Sequence, residues 1–313
     1  MATEPTNQPR SVAAATSAAT TEYDIAVGVP YLGRADRLCD LLLSVPTEVD
    51  RVVVADNAAS DARRDLFDTE HRFDLDVIDL ESDAGIGACR RAVRDAIDAE
   101  YMAVVDSDMQ LPTDLWKLAE ILTRDEPLGA VSGILAEDGS IRSGCCDLHL
   151  DSTLRQDRVL VQSIREEKSL DWSTGHPVAR FDKLANAMLV RKECADEIGW
   201  DARLKDKEHI DFFVNHWENS DWEFGACPDV IIRHNRGGPE WYTEQYRHGN
   251  DERQALYRRE FLTKYGYDDV VWGDTRWFGT TRRPLPERVY KAVESDLPTA
   301  ITQPIKSVMN RVV

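Results

Sequence analysis

The chain has 313 residues, with 38 Lys and Arg against 57 Asp and Glu, a formal charge of −19 and a pI near 4.8. So acidic a surface excludes a general nucleic-acid binder, because nothing neutralises phosphates over a broad face. At 42% hydrophobic residues the composition also excludes a mainly disordered chain.

Residues 1–22 are rich in Ala, Thr, Ser and Pro without a basic start or an apolar core, so a disordered tail is expected rather than a targeting peptide. Tyr23–Val29 reads as a strand ending at Pro30, and residues 34–44 carry Leu38, Leu41 and Leu42 on one helical face. Val49–Ala55 is a nearly continuous apolar run, the mark of a buried parallel strand, and Leu75–Leu80 is a third strand. Residues 86–97 set Ile86, Cys89, Val93 and Ile97 opposite Arg90, Arg91 and Arg94 at helical spacing. Tyr101–Val105 is a fourth strand, followed by a helix near 113–124 and a fifth strand at Leu128–Leu135. This alternation predicts an α/β fold with a mostly parallel, doubly wound sheet and helices on both faces.

Beyond it, strands are expected at Val159–Ile164, Ala185–Val190 and Val230–Arg233, and helices at 192–198 and about 209–217. From Glu240 onward the chain reads as helical. The expected division is a tail over 1–22, a domain over 23–238 in halves 23–135 and 136–238, and a helical extension over 239–313. No run approaches 18 apolar residues, so no membrane-spanning helix is expected. The six cysteines form no CxxC pair, and Cys145–Cys146 with His149 lacks the second pair a zinc cluster needs; a reducing compartment is expected. Arginine outnumbers lysine 29 to 9, and an acid excess with few lysines suits a halophilic setting, where salt screens self-repulsion.

Ligands of open α/β sheets bind beyond the carboxyl ends of the strands. There the first strand delivers Pro30 and Tyr31, the second Asp56 and Asn57, and the fourth Asp106-Ser107-Asp108. A lone Asp after a strand is commonly a turn former. In extended backbone, however, alternate side chains share a face, so Asp106 and Asp108 can approach one hard cation together. A divalent ion held there would neutralise a diphosphate and stabilise it as a leaving group.

Four segments then stand together: Val27-Gly28-Val29-Pro30-Tyr31, Val53 to Asp61 around Asp56, Ala84 to Arg90 with Gly85, and Val104 to Asp108. In order and spacing they resemble the family 2 glycosyltransferases of GT-A fold. A second set is similar to the β-1,4-N-acetylgalactosaminyltransferase-like enzymes: Ala185 to Arg191, Ile198 to Leu204, Glu208 to Phe213, and Asp229 to His234. The resemblance implies a nucleotide-sugar donor, most simply a UDP-sugar. It places Asp56 on the uracil or ribose, the Asp83–Arg90 segment by the base, and Mn²⁺ or Mg²⁺ on Asp106 and Asp108, with His234 completing the metal site.

An inverting transfer needs a carboxylate to take the acceptor hydroxyl's proton. The resembled enzymes carry Glu-Asp at the start of the acceptor-site helix, with the Asp as base. Here the run is Glu208-His209-Ile210-Asp211. In one register His209 takes the base position; in the other Asp211 does. Asp211 is the expected base, since a carboxylate beside Phe212 and Phe213 loses solvation, and Glu208 is the second candidate. Both also suit the N-terminal turn of a helix for purely structural reasons.

Trp241 and Tyr242 are candidate stacking partners for an acceptor sugar, or packing residues. Residues 276–313 carry seven Lys and Arg against three acids, a basic end suited to contact with anionic lipid or a phospholipid-linked acceptor. The combined expectation is a cytoplasmic transferase, free or at the cytoplasmic face of a membrane, acting on a hydroxyl of a glycan or lipid-linked glycan. A sugar-1-phosphate nucleotidyltransferase shares the fold, but Val29 to Arg34 lacks its glycine pattern. A non-catalytic nucleotide-sugar-binding protein would not need the Asp106–Asp108 pair.

Overall fold

The computed structural model describes residues 23–58, 64–151, 158–236 and 251–277. The expected N-terminal tail, the Trp241–Tyr242 platform and all of the basic end after Trp277 lie outside the described residues.

The strands are β1 (Ile25–Tyr31), β2 (Val49–Asp56), β3 (Asp74–Asp79), β4 (Tyr101–Val104), β5 (Met109–Gln110), β6 (Leu128–Glu137), β7 (Ser140–Arg142), β8 (Asp147–Asp151), β9 (Val159–Ser163), β10 (Ala179–Arg180), β11 (Met188–Arg191), β12 (Glu223–His234) and β13 (Asp269–Trp272). The helices are α1 (Ala35–Ser44), α2 (Arg64–Phe67), α3 (Ile86–Ala96), α4 (Trp116–Arg124), α5 (Lys192–Ile198), α6 (Glu208–Asn219) and α7 (Asp251–Tyr265). The main sheet runs β10-β12-β6-β11-β4-β1-β2-β3, with β5 on β12 and β7 on β6.

Strands β1, β2, β3 and β4 pair in parallel, as the strand–helix alternation predicts. β11 is antiparallel to both β4 and β6 and so separates two parallel groups. Apolar helix faces cover both sides. Leu38, Leu41 and Leu42 of α1 and Leu118, Ile121 and Leu122 of α4 pack with Val27, Val29, Val52 and Val54. On the other side, Cys89 and Val93 of α3, Cys194 of α5 and Phe212 and Phe213 of α6 pack with Ala26, Val53 and Val104.

Two features depart from the local reading. Strands β13, β9 and β8 form a second sheet of three strands. Its β13 pairs in parallel with β9, about 110 residues earlier in the chain, so the segment expected to be helical after Glu240 contains a strand as well as α7. Strand β12 is also much longer than the expected Val230–Arg233, and its register against β6 slips between Ala226 and Ile231.

Candidate functional site

The strand order places β2 and β3 on one side of β1 and β4 on the other. The order of connection therefore reverses between β1 and β4, the crevice in which open α/β sheets bind ligands. A cavity of about 410 Å³ opens there. Its wall includes Pro30, Tyr31, Asn57, Asp83, Gly85, Asp106, Asp108 and Glu208, all named by the sequence, together with Arg34, Asn186, Lys205, His209 and Arg253.

Asp106 and Asp108 leave β4 beside the cavity, and each is gripped separately. Arg90 Nη2 donates to Asp106 Oδ1 at 2.6 Å, and the Asn186 amide donates to Oδ2 at 3.3 Å. Arg34 Nη1 donates to Asp108 Oδ2 at 2.7 Å, with Asp108 only 2% exposed. Burial raises the Asp108 carboxyl, but hydrogen bonding and charge from His234 and Arg34 outweigh it and draw the group down to about 2.

His234 reaches this place through β5. Strand β12 pairs with that two-residue strand, setting His234 opposite Met109, and Asn235 N–H donates to the Asp108 carbonyl at 2.8 Å. His234 Nε2 then lies 3.4 Å from Asp108 Oδ2, and Nδ1 lies 2.5 Å from Glu137 Oε1. Burial raises the Glu137 carboxyl, but His234, Arg142 and Arg236 lower it overall, so Glu137 is an ionised acceptor and Nδ1 carries the proton. Nε2 thus faces a carboxylate, which is favourable only with a proton on it or a cation shared by the two groups. Burial lowers the His234 imidazole, and Asp108 and Glu137 raise it by more.

Two further observations test whether a divalent ion fits. Asp108 Oδ1 is buried without a hydrogen-bond partner, an acceptor awaiting a donor or cation. The Glu137–His234 pair has the outer carboxylate that orients a ligating imidazole. Asp108 and His234 therefore fit a hard-to-borderline cation, with Asp106 alongside. Among the described residues no three His, Cys, Asp or Glu side chains close around one point, because Arg90 and Asn186 hold Asp106.

Two expected site residues, Asp56 and Arg90, stand behind the wall. Asp56 is buried at the end of β2, where Oδ1 accepts the Ala58 N–H at 2.9 Å; its neighbour Asn57 is the one that lines the cavity. Arg90 is buried beneath Asp106 and acts through it. Gly85, at φ 100°, starts α3, and a Cβ there would lie 2.7 Å from the Lys205 Cα, so only glycine lets the 199–207 loop close against this helix. Lys205 Nζ donates to the Asp83 carbonyl at 2.5 Å, and Arg253 of α7 binds the Asp83 carboxylate through two nitrogens at 2.7 and 3.0 Å. Burial opposes ionisation of Asp83, but these cations prevail and lower its carboxyl.

The two candidate bases on α6 separate clearly. Asp211 does not line the cavity. It is 1% exposed and its Oδ1 accepts from Lys264 Nζ at 2.6 Å and Tyr265 Oη at 2.8 Å, so it ties α6 to α7. Glu208 lines the cavity while 4% exposed, and its Oε1 is 3.6 Å from Arg90 Nε. Burial pushes its carboxyl up to about 7, with Arg90 pulling the other way. Neighbouring His209 also faces the cavity; burial, with Lys183 and Arg90, lowers its imidazole well below the ordinary range and keeps it neutral. Asp211, the expected base, thus stands outside the cavity wall, with Lys264 and Tyr265 of α7 on its carboxylate.

Sequence reasoning missed Arg34, Lys205 and Arg253. Arg34 sits in the Pro30-Tyr31-Leu32-Gly33-Arg34 exit of β1, where position alone marked it; Lys205 and Arg253 enter from loops and helices remote in sequence.

No protein-family model matches the chain, and no curated protein matches it in sequence. Among solved structures it is similar to S. aureus TarS 1–349 in complex with UDP-GlcNAc, with TM-score 0.52 and 15% identity over 78% of this chain and 67% of that one. Another crystal structure of S. aureus TarS 1–349 gives TM-score 0.50 and 18% identity over 78% of this chain and 66% of that one. GalNAc-T7 with UDP, GalNAc and Mn²⁺ gives TM-score 0.52 and 12% identity over 80% of this chain and 55% of that one. The chain thus spans roughly two thirds or less of these structures' lengths. The shared architecture is the GT-A glycosyltransferase fold.

Proposed function

We propose that this GT-A-fold chain is a glycosyltransferase that moves a sugar from a UDP-sugar to a hydroxyl of a glycan or lipid-linked glycan, with inversion. One observation carries the reading. At the switch point of the sheet, a single cavity joins the Asp106–Asp108 pair to a buried carboxyl, Glu208, on an element from the other half of the chain. A paired-carboxylate edge for the leaving group and a separate base are the two parts that inverting transfer requires. The UDP-GlcNAc complex of TarS and the UDP complex of GalNAc-T7 support the donor class, and the sugar proposed for transfer is a hexosyl or N-acetylhexosaminyl group.

In this reading Glu208 accepts the proton of the attacking hydroxyl. Burial sets its carboxyl near neutrality, where a general base is both available and effective. Arg90 and Asn186 fix Asp106, and Arg34, Lys205 and Arg253 supply positive charge along the wall. Pro30, Tyr31, Asn57 and the Asp83–Gly85 turn shape the nucleoside end, with Asp56 supporting them from beneath. Mn²⁺ or Mg²⁺, held by Asp108 and His234 with Asp106, would neutralise charge on the departing diphosphate. The halophilic and cytoplasmic settings remain part of the proposal, as does membrane contact through residues 276–313.

The test is release of UDP from a panel of UDP-sugars with a glycan acceptor, in high salt, with Mn²⁺ or with chelator. Metal-dependent release that is lost in Asp108→Asn and Glu208→Gln supports the proposal. If no UDP-sugar yields UDP under any condition, the transferase reading is overturned.

A further inference from the structure

Asn186 stands two residues before β11. Because Met188 pairs with Val104 in the antiparallel ladder of β11 and β4, that register carries Asn186 to a place opposite Asp106. Its Nδ2 donates to Asp106 Oδ2 at 3.3 Å, while Arg90 Nη2 holds the other oxygen at 2.6 Å. A carboxylate gripped by a guanidinium only accepts hydrogen bonds, so the amide must turn its NH₂ to Asp106 and its oxygen elsewhere. Asn186 lines the cavity, and among the described residues no donor reaches that Oδ1. The oxygen is not shut away from solvent either, so it opens on the cavity. Asn57, also on the wall, differs: its Oδ1 already accepts the Ala84 N–H at 2.6 Å.

Arg90 shows which part of a donor this open acceptor would meet. Its Nη2 binds Asp106 and its Nε lies 3.6 Å from Glu208 Oε1, so one guanidinium spans the carboxylate edge and the candidate base. In inverting transfer the anomeric carbon lies between the departing diphosphate and the hydroxyl that the base holds. The transferred sugar therefore rests on the wall between Asp106 and Glu208, and Asn186 belongs to that wall through its contact with Asp106. Charged side chains there suit ions and phosphates. A neutral amide oxygen suits the hydroxyl or amide N–H of an uncharged sugar, and a few such groups fix orientation and specificity in a pocket.

We propose that Asn186 is a specificity-determining residue of the donor site: its NH₂ is committed to Asp106, and its Oδ1 accepts a hydrogen bond from a hydroxyl or amide N–H of the transferred sugar. This rests on the nucleotide-sugar reading. A sugar lacking a donor at the matching carbon would leave that oxygen unpaired in the occupied site, which weakens binding. The nucleoside diphosphate makes no use of the oxygen, so the effect belongs to the sugar alone.

The experiment measures, by calorimetry in high salt with Mn²⁺, the affinities of UDP, UDP-glucose, UDP-galactose, UDP-GlcNAc and UDP-GalNAc. It then takes the 2-, 3-, 4- and 6-deoxy analogues of the sugar nucleotide that binds best. In wild type one deoxy analogue should bind about 3- to 10-fold more weakly than its parent. In Asn186→Ala that loss should disappear, and the affinity of the parent relative to UDP should fall by the same factor. A change shared by UDP and the sugar nucleotides reports the hold on Asp106 and cancels in that ratio. Should the Ala variant not fold, Asn186→Ser, whose one short hydroxyl is spent on Asp106, is read in the same way. No deoxy penalty in wild type overturns the role of Asn186, as does a penalty or a ratio that the substitution leaves unchanged. Wild type that binds neither UDP nor any of these sugar nucleotides overturns the donor reading, and this inference with it.

Discussion

Replacing Glu208 with glutamine removes a titrating group at nearly constant shape. In the folded protein burial raises this carboxyl from 4.5 to about 7, with Arg90 opposing. That displacement corresponds to about 3 kcal/mol of penalty on the ionised form. A raised carboxyl favours the protonated state in the folded chain, so wild-type stability is complete below about pH 4.5 and is lost as pH rises through about 7. Glutamine does not titrate. Its advantage should vanish near pH 5 and reach about 3 kcal/mol above pH 8, or about 5 °C in Tm for a chain of this size. Over the same interval, transfer by wild type should rise with pH to a plateau above about 7, and Glu208→Gln should lose about 10²-fold or more in kcat/KM. Thermal melts across pH 5 to 9 in high salt, beside donor-turnover assays, check both. A Tm difference independent of pH, or turnover within about 10-fold of wild type, would refute the assignment of a buried base at Glu208.

Asp211→Asn should behave in the opposite way: the Lys264 charge contact is lost, Tm falls by the equivalent of about 1–2 kcal/mol, and turnover of the folded variant stays within about 10-fold. Gly87→Ala puts a Cβ 2.4 Å from the Asp201 carbonyl and 2.6 Å from that of Leu204, so the loop must move; a loss of about 1–3 kcal/mol in denaturant melts is expected, with weaker UDP binding by calorimetry. Arg72→Ala removes a guanidinium that donates to the carbonyls of Val45, Pro46, Thr47 and Val49. Because Arg72 is exposed, water replaces part of this, and a destabilisation of about 1–2 kcal/mol without change in turnover is expected.

How far the site was legible depended on the range of the interactions that build it. Glu208 and Asp211 lie three positions apart on one helix, so periodicity assigns them the same general face. What separates them is α7, which arrives from more than fifty residues away to cap Asp211 with Lys264 and Tyr265 while leaving Glu208 on the cavity. His234 was marked only by resemblance, and its approach to Asp108 depends on β5, a strand of two residues with no periodicity to read. Glu137, at the far end of β6, carried no signal, since its role is to hold another side chain.

By itself the sequence determined that β1 to β4 are parallel strands of the main sheet, with β1, β2 and β4 buried, and that acids stand at its carboxyl edge. Buried strands need continuous apolar runs, and the polar residues ending those runs must emerge at one edge, both consequences of local pattern. The tertiary structure alone decided which carboxylate is buried beside the cavity, which cation faces Asp108, and that β13 pairs with β9. Those outcomes are set by pairings across long stretches of chain, where burial and neighbouring charge, rather than residue type, decide what a side chain can do.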